Sequence, residues 1–295
     1  MKKVIVISGV TASGKTRLSE IIHEKSKSES VIINADSMQM YLDLPILSAQ
    51  PVIKAHHKLF SVLNYYENAS AGKWLAMTKK FIDEAHKKNQ FAIVVGGTGF
   101  YIKMLLEGAH ELPDIDEDNK KKVREEFLEK GKEKFHADLI KQDESLKKIH
   151  VNDIYRAQRA KEIILQTGKS FSHFENKKSD YDFTHYCILP KREVVYQRCD
   201  ERFLEMIKNE VICEVKQLHE KTKDSKTDNN HSVFKTLGYL NLVKHIKGEI
   251  KLEEAIAQAQ KLTRNYAKRQ YTWFNNQFKD KIILDNTDDT GDFLN

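Results

Sequence analysis

Val4-Ile5-Val6-Ile7-Ser8-Gly9-Val10-Thr11-Ala12-Ser13-Gly14-Lys15-Thr16 is the stretch on which the fold turns. Four consecutive β-branched residues without alternation read as a strand buried on both faces, the signature of a parallel sheet. Gly9 ends that run, residues 9–16 fit G-x-x-x-x-G-K-[ST], and residues 16–27 carry helical periodicity. Strand, glycine-rich turn and helix in that order predict a phosphate loop. The N–H groups of Gly9, Val10, Thr11, Ala12, Ser13 and Gly14 are expected to converge on phosphate oxygens at a helix N-terminus. Lys15 is expected to reach the outer phosphate, and the Thr16 hydroxyl to sit on Mg2+.

Working outward, apolar runs at 31–33, 91–95, 186–189 and 282–284 read as further buried strands. Residues 74–88, 98–107, 192–221 and 252–278 carry helical periodicity between them. Strands alternating with helices predict an α/β fold built on a parallel sheet covered on both faces. The pattern breaks after Pro113, where Asp114, Asp116, Glu117 and Asp118 lead into Lys120-Lys121-Lys122 and a long amphipathic stretch. The reading is a P-loop parallel-sheet core with an inserted all-helical domain: core 1–112, helical insertion 113–185, core completion 186–295. No internal repeat is found. A polar loop is read at 221–230 and an acidic tail from 285.

Composition narrows the function classes. With 31% charged and 40% hydrophobic residues, the chain collapses into a globule and is not wholly disordered. Only 4 prolines and 12 glycines argue against an all-β sandwich, which needs many tight turns. Cys187, Cys199 and Cys213 form no C-x-x-C pair and have no His at metal-ligand spacing, so neither a disulfide framework nor a zinc site is supported. The apolar run after Lys2-Lys3 stops at Ser8, too short for an export signal or a membrane span, and a cytoplasmic location is expected. The net charge of +6 permits a polyanionic partner. From Lys120 to Lys178 about 16 basic side chains face 10 acidic ones, so the excess sits in the insertion, masked in the total by the acidic run and tail.

A phosphate loop that serves phosphoryl transfer works with a metal-holding carboxylate on a neighbouring strand. The run Phe91-Ala92-Ile93-Val94-Val95 instead enters Gly96-Gly97-Thr98-Gly99, with no Asp. The acid follows the second run, in Val31-Ile32-Ile33-Asn34-Ala35-Asp36-Ser37, which predicts Asp36 at the carboxyl edge of the sheet where ligands of open α/β folds bind. Arg198 and Arg202, at i and i+4, share a helix face and could clamp an anion. Pairing with Glu201 or Glu205 is the competing reading.

Taken together, these motifs resemble the tRNA dimethylallyltransferase family. GVTASGKT, NADSMQMY, GGTGFYIKMLLEG, HVNDIYRAQRAKE and RNYAKRQYTWFNN follow the family's five motifs in order over most of the chain. Val10 and Val151 stand where the family has proline. Leu47-Ser48-Ala49-Gln50 replaces its Gly-Thr-Ala-Lys, and Leu240 replaces a basic residue. The resemblance implies transfer of a dimethylallyl group from dimethylallyl diphosphate to the exocyclic N6 of the adenosine beside the tRNA anticodon, releasing diphosphate. It implies Asp36 as the base that takes the amine proton, with Thr98 at the bridging oxygen or the amine. Lys15, Arg202 and Mg2+ on Thr16 would stabilise the leaving diphosphate. It also implies tRNA contacts from Asp36, Ser37, Met38, Gln39, Thr98, Lys120, Tyr155, Arg156, Ala157, Gln158 and Arg159, with the target base unstacked.

The alternating basic and aromatic residues Arg264, Tyr266, Lys268, Arg269, Tyr271 and Trp273 suit an RNA-binding helix, although Tyr271, Trp273 and Phe274 also fit a core face. No obligate protein partner is read. The alternatives are an adenylate isopentenyltransferase acting on free nucleotide and a P-loop small-molecule kinase.

Overall fold

The computed structural model describes residues 3–27, 29–110, 112–170, 173–174, 176–178, 180–223 and 231–285. Most of the polar loop at 221–230, and all of the acidic tail beyond Asp285, lie outside the described residues. The strands are β1 (Lys3–Gly9), β2 (Ser30–Asn34), β3 (His57–Lys58), β4 (Phe91–Gly96), β5 (Ala109–His110), β6 (Asn176–Lys177), β7 (Asp182–Ile188) and β8 (Ile282–Leu284). Six of them form one parallel sheet in the order β3-β2-β4-β1-β7-β8. The phosphate-loop strand β1 is therefore central: Ile5 pairs with Ile93 on one side and Thr184 on the other. Val4, Ile5, Val6 and Ile7 are all fully buried, as an unalternating apolar run requires.

The helices are α1 (Lys15–Lys25), α2 (Ala71–Lys87), α3 (Gly99–Glu107), α4 (Glu117–Gln142), α5 (Ile154–Thr167), α6 (Arg192–Lys208), α7 (Val211–Thr222), α8 (Tyr239–Ile246) and α9 (Leu252–Gln277). One core lies where Leu18 and Ile22 of α1 meet Ile5, Ile7, Ile32 and Ile93 of the sheet. Another gathers Phe203, Val215, Leu242 and Ala259 from α6, α7, α8 and α9 around Tyr41, Leu44 and Leu47. In α9 the buried positions Ala255, Ala259, Thr263, Ala267, Gln270, Tyr271 and Phe274 recur every three to four residues, so one face of a 26-residue helix is inward.

The chain divides into two compact units, 1–107 with 179–295, and 108–178. Both edges of the second unit lie several residues before the 113 and 185 of the sequence reading. The reason is local. Ala109–His110 and Asn176–Lys177 pair as an antiparallel ribbon too short to show any periodicity, so this unit is not all helical. The next strand, β7, starts at Asp182, because Asp182, Phe183, Thr184 and His185 pair with β1 although they lack an apolar run. Within this unit Val123, Phe135, Leu139, Leu146, Ala157 and Ala160 form a small core. Helix α4 kinks at Gly131 (φ 71°), with Lys130 Nζ held between Glu126 (2.8 Å) and Asp138 (2.9 Å). Asp153 caps α5 by accepting the Arg156 N–H, and Gly168 (φ 65°) ends it.

The helix expected over 192–221 is two helices. Glu210 takes a left-handed φ of 63°, which ends one helix and starts another, and Val211 opens the buried face of α7. All three cysteines are free, Cys187 and Cys199 buried and Cys213 exposed. Among the described residues no helix is long and apolar enough to cross a membrane.

At the carboxyl edge of the sheet, β2 and β4 approach closely enough that a Cβ on Gly96 would run into the backbone of Ala35, whose N–H is donated to the Val95 carbonyl (2.7 Å). Gly96→Ala is expected to destabilise the protein by about 2–3 kcal/mol, the cost of overpacking a close backbone contact, measured by denaturant unfolding. A loss below about 0.5 kcal/mol would contradict this close approach.

Candidate active site

The phosphate loop closes between β1 and α1. Gly14 is in the left-handed region (φ 92°), which only glycine adopts without strain, and this directs the chain into the first turn of α1. Ala12 also has a positive φ (57°), a strained value for a residue with a Cβ. The Ser13 N–H is donated to the Val10 carbonyl (3.3 Å), and Lys15 Nζ donates to the same carbonyl (2.6 Å). Lys15 is thus folded over its own loop, with the Val10 carbonyl as its partner.

Gln270 on α9 secures the loop from outside. Its Oε1 accepts the Thr11 N–H (2.8 Å) and its Nε2 donates to the Gly97 carbonyl (2.9 Å). One buried amide thereby ties the phosphate loop to the Gly96-Gly97 turn. The sequence reading missed this role, noticing only the basic and aromatic neighbours of Gln270. The signal was there: a glutamine on the inward face of an amphipathic helix needs partners for both ends of its amide.

Asp36 stands two residues beyond β2, as its place after the second apolar run predicts. Its Oδ1 accepts the Met38 N–H (3.0 Å) and its own N–H is donated to Asn34 Oδ1 (2.8 Å). Asn34 Nδ2 donates in turn to the carbonyls of Asp36 (2.9 Å) and Leu59 (3.0 Å), holding the turn rigid. Thr98 begins α3 with its carbonyl, while its Oγ1 accepts the Ser37 N–H (3.0 Å). Its side chain therefore braces the Asp36 segment and does not cap its own helix.

Thr11, Ala12, Ser13, Gly14, Lys15 and Thr16 line a cavity of about 360 Å³ together with Asp36, Gln39, Arg198, Arg202 and Gln270. Ser37, Met38 and Thr98 do not line it. Arg202 donates to Thr11 Oγ1 (2.7 Å), so the competing pairing with Glu201 or Glu205 is not the one formed. Lys15, Asp36 and Arg202 are half-buried, and the protein packed around them displaces much of their hydration. Burial accordingly lowers the Lys15 pKa to about 8 against the opposing pull of Asp36. Burial also raises the pKa of Asp36, with the Met38 N–H and Lys15 pulling the other way, and lowers that of Arg202.

The remaining expected contact residues lie in the second unit. Tyr155 is 80% exposed and Arg156 is exposed beside it, whereas Ala157 belongs to the unit's core. Gln158 is half-buried, Arg159 is held by Glu162 (3.2 Å) and the Pro113 carbonyl (3.4 Å), and Lys120 pairs with Glu117 (2.6 Å). On α9, Tyr271 and Phe274 are core residues, and Tyr271 donates its hydroxyl to the Pro190 carbonyl. Trp273 is half-buried against Gly99.

Glu20, His56 and His57 bring three potential ligand atoms within 4.8 Å at the β3 edge. His57 Nδ1 accepts the Lys54 N–H (3.1 Å), so the neutral ring carries its proton on Nε2 and has no lone pair to offer there. Glu20 Oε1 lies 2.8 Å from that nitrogen, off the line of its N–H, and Oε2 takes Lys54 Nζ at 3.2 Å. As folded, the ion pair of this cluster is Glu20 with Lys54, beside a neutral His57.

A phosphate loop sharing a cavity with a carboxylate and two arginines, at the carboxyl edge of a parallel sheet, defines a P-loop α/β protein. The family model described as IPP transferase matches residues 39–277. The chain is 40% identical to the tRNA dimethylallyltransferase of Wolbachia pipientis wMel, covering 96% of this chain and 95% of that protein. It is 34% identical to the tRNA dimethylallyltransferase of Ehrlichia ruminantium (strain Welgevonden), covering 100% and 98%. Among solved structures it is similar to the tRNA isopentenylpyrophosphate transferase of Bacillus halodurans, with 28% identity, 96% and 90% coverage and a TM-score of 0.68. It is also similar to a eukaryotic dimethylallyltransferase acting on tRNA, with 27% identity, 99% and 76% coverage and a TM-score of 0.82. The chain belongs to the IPP transferase family.

Because the Lys15 pKa is depressed to about 8, its ammonium is lost as pH rises through that value, and with it a charge that an anion needs. Inorganic diphosphate titrated calorimetrically should bind more weakly as pH rises past about 8, and Lys15→Arg should flatten that fall. Comparing the two proteins cancels the titration of diphosphate itself. A wild-type protein as flat as the arginine variant would contradict the assignment.

Proposed function

We propose that the protein transfers a dimethylallyl group from dimethylallyl diphosphate to the exocyclic N6 of an anticodon-adjacent adenosine in tRNA, releasing diphosphate. The observation that carries this reading is the meeting of Asp36 with the phosphate loop, Arg198 and Arg202 in one cavity of an IPP transferase family member. The relatives' names, which specify tRNA, favour it over transfer to free nucleotide. The missing acid after β4 argues against a kinase.

The chemistry follows from the charges. The N6 lone pair is delocalised into the ring, and attack on carbon makes the nitrogen positive unless a base removes a proton. Asp36 takes that proton: burial makes its carboxylate more basic than usual, and the Met38 N–H and the Asn34 side chain fix the turn that carries it. The new C–N bond forms as the C–O bond to diphosphate breaks and its electron pair stays with the leaving oxygen. Lys15, Arg202 and the loop N–H groups, set before the reaction and partly shielded from bulk water, hold the charge that develops there. Binding diphosphate takes Lys15 away from the Val10 carbonyl. Thr98 acts on the Asp36 segment through Ser37, in a positioning role.

The donor chemistry of the cavity fits Mg2+. Thr16 offers a hydroxyl oxygen next to Lys15, and no thiol or imidazole is among the lining residues. Thr16 would hold the ion, which when bound neutralises part of the diphosphate charge.

For tRNA, the exposed Tyr155 can stack on a base and Arg156 can exchange its exposed pairing with Asp153 (3.4 Å) for a phosphate, within the basic excess of residues 120–178. Lys120 can exchange its present partner Glu117, since an exposed ion pair contributes only about 0–1 kcal/mol.

The purified protein should move labelled dimethylallyl onto unmodified tRNA whose anticodon is followed by adenines. Labelling of AMP in place of tRNA would support the free-nucleotide alternative, and ATP turnover without transfer would support a kinase.

A further inference from the structure

Residues 44–50 form a single helical turn, closed by Ser48 N–H to Leu44 O (3.0 Å), Ala49 N–H to Ile46 O (2.9 Å) and Gln50 N–H to Pro45 O (2.9 Å). Ser48 and Ala49 line the cavity. A turn this short cannot hold itself in water, and the first N–H groups of any helical turn have no partner within it. Here those groups are Ile46 and Leu47, and both are satisfied by one side chain from far along the chain. Glu214 Oε2 accepts the Ile46 N–H (2.7 Å) and Glu214 Oε1 accepts the Leu47 N–H (2.9 Å).

The other end of the turn acts on the cavity. The Ser48 and Ala49 carbonyls accept both N–H bonds of the Gln39 amide, at 3.1 and 2.9 Å. With its NH2 group committed, Gln39, which also lines the cavity, has only its Oε1 left to offer there. Gln39 follows Asp36 by three residues, its backbone N–H acts on the Asp36 carboxylate, and its side chain lines the same cavity.

We propose that Glu214 is a positioning residue for the acceptor side of the reaction: through the 44–50 turn it orients Gln39, and through Gln39 the nucleoside presented to Asp36. The inference rests on the tRNA reading above. It makes a specific chemical demand. Each carboxylate oxygen takes a different backbone N–H, so the charged, two-acceptor group is required. A glutamine at 214 has one oxygen, and its NH2 group would face an N–H donor head on. Glu214→Gln should therefore behave almost as badly as Glu214→Ala despite matching glutamate in shape. Glu214→Asp keeps both oxygens but has a shorter reach.

The test is steady-state transfer kinetics on the full-length protein with wild type, Glu214→Gln, Glu214→Asp, Gln39→Ala and the Glu214→Gln/Gln39→Ala double variant, alongside calorimetric binding of inorganic diphosphate. Misplacing a contact group by about 1 Å costs up to about a hundredfold in rate. Glu214→Gln is expected to lower kcat/KM for tRNA by about ten- to a hundredfold, and Glu214→Asp by less, while diphosphate affinity changes less than about twofold. The double variant should be no worse than Gln39→Ala alone, because the two act in series. Additive losses in the double variant, a parallel loss of diphosphate binding, or wild-type tRNA kinetics in both Glu214 variants would overturn the proposal. If Glu214→Gln unfolds, as a thermal melt would reveal, Glu214→Asp decides alone by the same readouts. A wild-type protein that transfers nothing to tRNA would instead refute the functional reading itself.

Discussion

Gln270 makes the hydrogen bonds on which the site depends. A residue 259 positions downstream of Thr11 accepts its N–H and gives its own amide hydrogen to Gly97, so two loops from different strands share one buried side chain. The β1–β4 ladder sets where the two loops leave the sheet, and Gln270 bridges them beyond its last pair. Loss of one end would leave a buried backbone group without a partner, a cost of about 1–3 kcal/mol. The position of Gln270 in turn relies on the inward face of α9, where Ala267, Tyr271 and Phe274 pack around it. A long helix near the end of the sequence thereby determines the shape of a loop near its beginning.

Within that frame, electrostatics does the chemical selecting. Lys15, Asp36 and Arg202 line one cavity, half-buried, and each has its pKa moved by burial toward the neutral form. For Asp36 that means a stronger base, and for Lys15 a cation that is fully held only once an anion arrives. A site of this kind suits a reaction in which a diphosphate leaves and a proton is taken from nitrogen in the same enclosure. The strand beside β1, ending in Gly96-Gly97, supplies close approach and no carboxylate.

Much of this was legible in the sequence, for identifiable reasons. The unalternating run Val4-Ile5-Val6-Ile7 and the glycines of the phosphate loop report backbone geometry directly, and Asp36 could be placed because it follows a second such run. Long-range partners were not legible. Gln270 and Glu214 each act through two hydrogen bonds to backbone about 170 to 260 residues away, and no local periodicity announces such pairs. The ribbon of Ala109–His110 with Asn176–Lys177 was missed because two-residue strands have no pattern, and the break at Glu210 because a left-handed glutamate leaves no compositional mark. The strand beginning at Asp182 was read too short because its pairing with β1 compensates for its polar first half.

The central claim is that Asp36 removes the proton while the phosphate loop holds the leaving group. Single-turnover transfer with tRNA and dimethylallyl diphosphate both prebound, wild type against Asp36→Asn, tests it most directly. The account predicts a fall of about a hundredfold or more in the transfer rate, with tRNA affinity nearly unchanged. A rate within about threefold of wild type would contradict it and remove Asp36 from the role of base.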